Sequence, residues 1–311
     1  MRRKVQNVAI IGAGLMGLGI GVEYARFGYN VSLYNTNKKS SDAAMQRAKE
    51  DLDLMAKTKF ITRAEEKETY SRLRPTTDIA DAVKGADMAV ESVTENLALK
   101  QDIFVKLDAL CRPPVILATD TSGLRVTDVV AKVKNPERTL ATHYTQPPHF
   151  APMVEVVAGE KTDPDLVPFV AGMLRKMHKM VIIPNKDTPA FIQNRIQNVI
   201  GRECQKLVDE GLASPQTVDN VITFGFGRRM GYTGYFKRLD LVGLDFSYNG
   251  AKSRGNEPWK PLAEHVEKGE LGMKTGKGFY DWPEDKKKAF LDWYRTELLR
   301  LVKEDIKRGD I

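Results

Sequence analysis

His143 and Glu155 are the residues whose types and placement point most directly to catalysis. They lie in two consecutive predicted strands, Leu140–His143 and Val154–Val157, and Pro147-Pro148 supplies a turn between the strands. Two strand ends bent back by such a turn can place a carboxylate behind an imidazole. Oxidation of a secondary alcohol needs that arrangement, because the imidazole accepts the hydroxyl proton and the carboxylate stabilises the imidazolium. The competing interpretation is a histidine with a purely structural role.

Two further polar residues are placed where a ligand would contact them. Ser122 follows the predicted strand Val115–Thr119, at the edge where open α/β sheets bind ligands. This position favours a hydroxyl that donates to a substrate oxygen over one that only caps a turn. Asn194 is a polar residue on an otherwise apolar helical segment, and it could instead satisfy buried backbone groups. The other histidines lack a carboxylate partner in the sequence pattern and are predicted to be surface or packing residues: His149, His178 and His265.

A glycine-rich loop near the N-terminus predicts a dinucleotide site. It follows the predicted strand Asn7–Ile11 and opens a predicted helix, and its members are Gly12, Ala13, Gly14, Leu15, Met16 and Gly17. The first glycine permits a tight turn, the second lets a pyrophosphate approach the backbone, and the third lets helix and strand pack closely. The glycine pattern alone is common, but its strand–turn–helix context favours dinucleotide binding over a structural turn.

Asn35 directly follows the second predicted strand, Asn30–Tyr34, at the position where an acidic residue would bind the ribose 2′-hydroxyl of NAD. An amide does not repel a 2′-phosphate, and Lys38 and Lys39 could pair with one. The same lysines could instead be solvated residues at the start of the next helix. The residues therefore leave both NAD and NADP open as the cofactor.

The elements that position these residues differ between the two halves of the chain. Through residue 187, short apolar runs alternate with helical stretches, which predicts a Rossmann-type, mostly parallel sheet with helices on both faces. The predicted strands are Asn7–Ile11, Asn30–Tyr34, Met88–Val93, Val115–Thr119, Leu140–His143, Val154–Val157 and Met180–Pro184. From residue 188 onward helical spacing dominates, so we predict a dinucleotide-binding domain over 1–187 and an all-α domain over 188–311.

Two helical segments have a charged composition. Ser40–Thr76 is predicted to be two helices joined by a short turn, and Thr62 with Glu65 forms a capping box for the second helix. Glu284–Ile311 is predicted to be one helix that packs on its own domain and leaves a charged face in solvent.

Composition excludes several classes of protein. The chain has 311 residues, of which 42% are hydrophobic and 29% are charged, so it is neither disordered nor collagen-like. Its two cysteines are too few for a disulfide framework or a zinc site, and we expect no metal. The net charge of +7 is spread along the chain and suits an anionic small molecule at least as well as nucleic acid. Without a signal peptide or a long apolar stretch, we expect a cytoplasmic protein with no membrane or nucleic-acid partner.

Several motifs together resemble the L-3-hydroxyacyl-CoA dehydrogenase family over nearly the whole chain. The glycine loop matches, and Glu91–Asn96 with Lys100 resembles that family's third-strand motif. Thr121-Ser122 resembles its serine loop, and His143 with Glu155 stand at its catalytic spacing. The helical half resembles the family in Ala190–Arg195 and in the C-terminal signature Lys274–Tyr280.

The resemblance implies an enzyme that transfers hydride between NAD and the 3-position of an L-3-hydroxyacyl-CoA, as in fatty acid metabolism. It implies that Ser122, His143 and Asn194 surround the 3-keto oxygen and that Glu155 supports His143. It further implies cofactor contacts from Glu95, Lys100 and Ser122 and a homodimer formed by the helical domain. It also implies coenzyme A contacts from Lys57 and Lys59 beside Arg63, for which the alternative is a solvated helical pair flanked by carboxylates.

Departures from the family pattern keep the substrate open. Gln146 replaces the usual asparagine after the catalytic histidine, and Gly234-Tyr235 replaces the usual Gly-Pro of the helical domain. Lys237 stands where an acidic residue is frequent, and Gly227-Arg228-Arg229 resembles the branch that oxidises free hydroxy acids such as gulonate or carnitine. A reductase of the 6-phosphogluconate or imine type and a non-catalytic NAD(P)-binding structural protein are the competing hypotheses for the whole chain.

Overall fold

The structure, a computed structural model, describes residues 4–311. This part of the chain contains eight strands: β1 (Asn7–Ile11), β2 (Asn30–Tyr34), β3 (Leu73–Thr76), β4 (Met88–Glu91), β5 (Ile116–Thr119), β6 (Thr139–Tyr144), β7 (Met153–Ala158) and β8 (Met180–Ile182). They form one sheet in the spatial order β3-β2-β1-β4-β5-β6-β7-β8. Neighbouring strands are parallel except β6 and β7. The predicted mostly parallel sheet is confirmed.

Helices cover both faces of the sheet. Val8 and Ile10 of β1 pack into one hydrophobic core, whereas Ala9 and Ile11 pack into a second one. Alternate residues of a strand point to opposite faces, so two cores on alternate residues require a covering layer on each side. The helices are α1 (Leu15–Arg26), α2 (Lys38–Lys57), α3 (Arg63–Ser71), α4 (Ile79–Val83), α5 (Leu97–Leu110), α6 (Val126–Val129) and α7 (Leu166–Lys176), with a 3₁₀ turn at Pro136–Arg138.

The charged segment after β2 forms the predicted helical pair, α2 and α3. The capping box at the start of α3 is present, because Thr62 accepts from the backbone N–H of Glu65 and the Glu65 carboxylate accepts from that of Thr62. The prediction was wrong for the end of this segment, where Leu73–Thr76 forms β3 instead of helix. This edge strand has one buried residue, Leu73, and contains Pro75, so it lacks the apolar run by which the other strands are recognised.

The chain after β8 is helical. Its helices are α8 (Gln193–Asp209), α9 (Pro215–Asn220), a π-helical segment Val221–Phe226, α10 (Gly227–Val242), α11 (Leu244–Ser253), α12 (Lys260–Glu267) and α13 (Glu284–Arg308). The predicted helix Glu284–Ile311 corresponds to α13, and the predicted helical segment that carries Asn194 corresponds to α8. The chain separates into two compact units, Met1–Val199 and Ile200–Ile311. No helix among residues 4–311 is both long and apolar enough to cross a bilayer.

Asp240 organises the second unit around the C-terminal signature. It is fully buried and accepts hydrogen bonds from the backbone N–H of Phe279 (3.0 Å), the backbone N–H of Tyr280 (3.0 Å) and Nε1 of Trp282 (2.8 Å). A side chain at Gly278 would collide with the Asp240 carboxylate. The signature is therefore a turn that wraps one buried carboxylate.

Candidate active site

A cavity of about 710 Å³ opens in the first unit beside the carboxyl ends of the central strands. Such ends are where open α/β sheets bind ligands. The glycine loop contributes Gly14, Leu15 and Met16 to its wall, the segments that follow β4, β5 and β6 contribute Glu95, Ser122 and Gln146, and β6 contributes His143. The first turn of α8 adds Asn194. The structure thus brings half of the predicted site residues to the wall of one cavity, and the others lie behind that wall or away from it.

His143 and Glu155 form a buried pair, of which His143 lines this cavity. They are direct partners in the antiparallel register of β6 and β7, so the strands themselves bring the two side chains together. Glu155 Oε2 lies 2.8 Å from His143 Nδ1. That contact leaves the other ring nitrogen, Nε2, available to a molecule in the cavity.

The second carboxylate oxygen of Glu155 is also held. Oε1 accepts from the backbone N–H groups of Ile192 (3.0 Å) and Gln193 (3.2 Å), where the chain enters α8. Burial opposes ionisation, but the hydrogen bonds from His143 and from these N–H groups outweigh it and hold the pKa of Glu155 below its usual range. Glu155 is therefore a fixed anion behind the imidazole.

Glu95 shapes the loop that carries Ser122. Its Oε1 accepts from Thr121 Oγ1 (2.6 Å) and from the backbone N–H groups of Ser122 (3.1 Å) and Gly123 (2.8 Å). Burial opposes ionisation of Glu95, but these bonds and the nearby Lys100 cation keep its pKa lowered. Asn194 Nδ2 donates to the carbonyl oxygen of Ser122 at 2.9 Å and fixes the loop from the α8 side.

Lys100 is not part of the cavity wall. Its side chain is 1% exposed, and Nζ lies 2.7 Å from Oε1 of the fully buried Glu91 and 3.3 Å from Oε2 of Glu95. Thr119 Oγ1 donates to the other oxygen of Glu91 at 2.7 Å. Lys100 therefore acts on the cavity wall from behind, through Glu95 and through the carbonyl oxygen of Val93, to which Nζ donates at 3.3 Å.

The glycine loop has the shape that a dinucleotide requires. Gly12 has φ +98°, and a Cβ there would come within 2.8 Å of the Ser92 carbonyl oxygen. A Cβ at Gly17 would collide with the Gly12 carbonyl. By contrast, a Cβ at Gly14 would meet nothing within 4 Å, so open space lies above the residue that a pyrophosphate approaches. These residues fit a dinucleotide at the N-terminus of α1.

Asn35 carries a donor without a partner at the position that would bind the ribose. The residue is 8% exposed, and its buried Nδ2 makes no hydrogen bond to any residue from 4 to 311. Lys38, one of the two lysines that follow, forms an exposed ion pair with Asp42 at 3.0 Å. Lys39 is exposed. The unpaired amide donor is what a ribose hydroxyl would satisfy.

The three cations of the α2–α3 turn lie away from the cavity wall and differ in their contacts. Lys57 lies 2.7 Å from Asp53, and Arg63 lies 2.7 Å from both Asp53 and Glu66. Lys59 is exposed and has φ +61°. Two of the three cations are therefore already paired with carboxylates of the same helical pair.

The prediction that the other histidines lack carboxylate partners was wrong for two of them. His149 is buried, and its Nε2 lies 3.1 Å from Asp51 Oδ2. His265 Nδ1 lies 2.7 Å from Glu270 Oε2 within the second unit. His143 and Glu155 were recognisable because they lie on two consecutive strands joined by one turn. Asp51 is on α2 and Glu270 follows α12, so neither of these carboxylates stands in that pattern.

Asp120 and Gln193 make contacts at the cavity that the sequence motifs do not predict. Asp120 follows β5 and lines the cavity, and it accepts from the backbone N–H of Tyr144 at 3.1 Å. Gln193 Oε1 accepts from Thr145 Oγ1 at 2.6 Å and links the segment after β6 to the start of α8. The placement of Asp120 directly after a central strand was a usable signal, whereas the Gln193 contact depends on the path of the chain between the strands.

Known families match both parts of the chain. Residues 7–188 match the NAD binding domain of 3-hydroxyacyl-CoA dehydrogenase, and residues 191–282 match the C-terminal domain of the same enzyme. The chain belongs to the 3-hydroxyacyl-CoA dehydrogenase family. Like other members it is a nicotinamide-dependent oxidoreductase, which confirms the resemblance seen in the sequence motifs.

Three relatives show the range within this 3-hydroxyacyl-CoA dehydrogenase family. The 5-formyl-3-hydroxy-2-methylpyridine 4-carboxylate 5-dehydrogenase of Mesorhizobium japonicum is 33% identical, over 92% of this chain and 93% of its own. The probable 3-hydroxybutyryl-CoA dehydrogenase of Bacillus subtilis is 31% identical, over 90% of this chain and 99% of its own. The crystal structure of the Archaeoglobus fulgidus 3-hydroxyacyl-CoA dehydrogenase is 29% identical over 96% of this chain and 99% of its own, with a TM-score of 0.79.

Proposed function

We propose that the protein oxidises L-3-hydroxyacyl-CoA esters, or reduces 3-ketoacyl-CoA esters, with His143 as the general acid–base. The observation that carries this proposal is the buried contact of 2.8 Å between Glu155 Oε2 and Nδ1 of His143, a residue that lines the cavity. It selects the imidazole tautomer that presents a lone pair on Nε2 to a substrate hydroxyl.

The chain's own residues divide the work at the substrate oxygen. His143 takes the hydroxyl proton as oxidation proceeds, and Glu155 stabilises the imidazolium that results. Ser122 Oγ has no hydrogen-bond partner among residues 4–311, so it is free to donate to the same oxygen. Asn194 holds the Ser122 loop through its 2.9 Å bond and presents the rest of its amide to the cavity.

The nicotinamide cofactor supplies the hydride acceptor, and the glycine loop is the part of this chain that would hold it. Gly14 leaves room for the pyrophosphate, Gly12 and Gly17 let the loop adopt its tight shape, and Leu15 and Met16 line the cavity beside it. Glu95 reaches the cavity directly, and Lys100 acts by fixing Glu95. We infer NAD rather than NADP, because Lys38 is paired with Asp42 and the buried Asn35 amide suits a ribose hydroxyl.

The test is a spectrophotometric assay at 340 nm with acetoacetyl-CoA, free acetoacetate, and NADH or NADPH. We expect turnover of the CoA ester with NADH, and we expect His143→Gln to lose at least the ~10²-fold in kcat that acid–base catalysis contributes. Turnover of a folded His143→Gln protein at the rate of the unchanged protein would remove His143 from the mechanism.

A free 3-hydroxy acid is the second candidate substrate. The carboxylates of Asp53 and Glu66 already neutralise Lys57 and Arg63, which reduces the positive charge available to coenzyme A. The Mesorhizobium japonicum relative, which is 33% identical to this chain, is named for a pyridine carboxylate and not for a CoA ester. Turnover of a free 3-keto acid with no turnover of any acyl-CoA would establish this second candidate.

We also propose a homodimer in the cytoplasm, formed through the helical domain. In support of the dimer, α8 has no buried residue, and its exposed residues include Ile196 (58% exposed), Val199 (58%) and Ile200 (36%). Exposed apolar side chains repeated along one helix are typical of an interface.

The division of the chain into two domains at residue 187 also stays a prediction.

A further inference from the structure

Asp120 joins the three strand ends that surround the cavity. Its backbone N–H donates to the carbonyl oxygen of Glu91 at the end of β4 (2.8 Å). Its Oδ2 accepts from Ser92 Oγ (3.0 Å), and its Oδ1 accepts from the backbone N–H of Tyr144 (3.1 Å), the residue after His143. The carboxyl group is therefore held in one place beside the catalytic histidine.

This carboxyl group has no cation of its own. Lys100 on α5 interacts with it electrostatically, but Glu91 and Glu95 already pair with Lys100. His143 on β6 is paired with Glu155. Within residues 4–311 no ion pair involves Asp120, so a charge on its carboxylate is not compensated by the protein.

Asp120 ionises close to neutral pH. Burial raises its pKa to about 7, against the opposing effects of the Tyr144 N–H, the Ser92 hydroxyl, His143 and Lys100. The other ionisable groups around it are Glu95, whose pKa is lowered, and Tyr144, whose pKa is raised. Of the carboxyl groups in the cavity wall, Asp120 is thus the one whose charge changes in the physiological range.

A nicotinamide ring must lie in the same cavity if hydride is to pass to a carbon bonded to the oxygen at His143. The oxidised ring carries a positive charge and the reduced ring carries none. A fixed, uncompensated carboxylate therefore attracts the oxidised ring and not the reduced one. The attraction is stronger in a partly enclosed cavity than in bulk water, because the effective dielectric constant there is lower.

We propose that Asp120 sets the relative affinity of this site for oxidised and reduced cofactor, favouring the oxidised form when its carboxyl group is ionised. The inference rests on the proposed function in so far as both require a nicotinamide ring beside His143. Asp120 is a positioning and electrostatic residue in this scheme, and it transfers no proton to substrate.

The test measures dissociation constants of NAD⁺ and NADH by calorimetry, without turnover. At pH 8.5 we expect Asp120→Asn to raise the ratio of the NAD⁺ constant to the NADH constant by on the order of ten-fold. Asp102→Asn is the matched control, because Asp102 is an exposed residue of α5 whose loss changes the net charge equally. An unchanged ratio in a folded Asp120→Asn protein would overturn the inference.

A second measurement does not depend on the folding of the Asp120 variant. The variant His143→Asn removes the imidazole from the cavity wall. In this variant the dissociation constant of NAD⁺ divided by that of NADH should still fall as the pH rises from 6 to 8.5, because ionised Asp120 strengthens NAD⁺ binding. A ratio independent of pH in that background would contradict the role of Asp120. If the unchanged protein binds neither NAD⁺ nor NADH, the proposed function and this inference are both rejected. If it binds them but Asp120→Asn leaves the ratio of the two dissociation constants unchanged, only this inference is rejected.

Discussion

Glu155 lies directly opposite His143 in the antiparallel pair of β6 and β7, and its carboxylate oxygen is 2.8 Å from the imidazole nitrogen Nδ1. The register of two strands thus creates the dyad, without a contribution from a flexible loop. Because both residues are buried in the sheet, their separation is set by backbone pairing, and changes at either residue should affect chemistry more than binding.

Glu155→Gln is expected to lower kcat by about 10–10²-fold, because an amide can accept from the imidazole but does not stabilise the imidazolium by charge. The KM for substrate should change little, and the dissociation constant of NADH should stay the same. Steady-state kinetics together with calorimetric NADH titration checks this. A reduced affinity for NADH with an unchanged kcat would show that Glu155 serves binding and not catalysis.

The same residue should make stability depend on pH. The pKa of Glu155 is lower in the folded protein than its ordinary value of about 4.3, so the stabilisation is complete above pH ~4.3 and is lost as pH falls through the folded value. At pH 7 we expect Glu155→Gln to lower the free energy of unfolding by about 1.5–3 kcal/mol, the range for hydrogen bonds to charged groups. Urea unfolding of both proteins at pH 7 and pH 3.5 should show the difference shrinking at the lower pH; a constant difference would contradict it.

Asn35→Asp should move cofactor preference towards NADH. The carboxylate would accept from the ribose hydroxyls and repel a 2′-phosphate, and we expect the NADH to NADPH ratio of kcat/KM to rise by about ten-fold. Lys38→Ala tests whether Lys38 binds the 2′-phosphate of NADPH. It should lower kcat/KM for NADPH only if Lys38 leaves its ion pair with Asp42 to bind that phosphate. If Asn35→Asp leaves the ratio unaltered, residue 35 does not read the 2′ group.

Lys57→Ala with Lys59→Ala should raise the KM for acetoacetyl-CoA and leave kcat nearly intact, if coenzyme A binds at the α2–α3 turn. Each exposed contact contributes about 1 kcal/mol at most, so we expect a rise of about three- to ten-fold that shrinks as salt is added. Lys49→Ala with Lys67→Ala removes the same charge from exposed positions of the two helices and is the control. An equal effect in both double variants would indicate general electrostatics and no site at the turn.

Asp240→Ala should destabilise the second unit. The substitution leaves the Phe279 N–H, the Tyr280 N–H and the Trp282 indole without their acceptor, and buried donors of this kind cost about 1–3 kcal/mol each. We expect a loss of about 3–5 kcal/mol in the free energy of unfolding, measured by a denaturant titration in which tryptophan fluorescence is the signal. Asp219→Ala, at an exposed position of α9, should change stability by less than about 0.5 kcal/mol.

Patterns that repeat over short distances allowed most of the fold and part of the site to be predicted. The buried strands, the glycine loop and the capping box of α3 each consist of neighbouring residues, so the whole feature is visible in one short stretch of sequence. The pairing of His143 with Glu155 was also accessible, because one turn separates their strands and the register follows from it.

Other features depend on residues far apart in the chain and could not be read from it. β3 is a strand because it pairs with β2 at the sheet edge, not because its own residues favour one. Lys100 carries its charge inside the protein because Glu91 and Glu95 meet it there, and His149 has a partner because α2 places Asp51 beside it. Asp120 ionises near neutral pH because the ends of β4 and β6 enclose it and leave it without a cation. Burial and long-range pairing set the energy of a charge, and both exist only once the chain has folded.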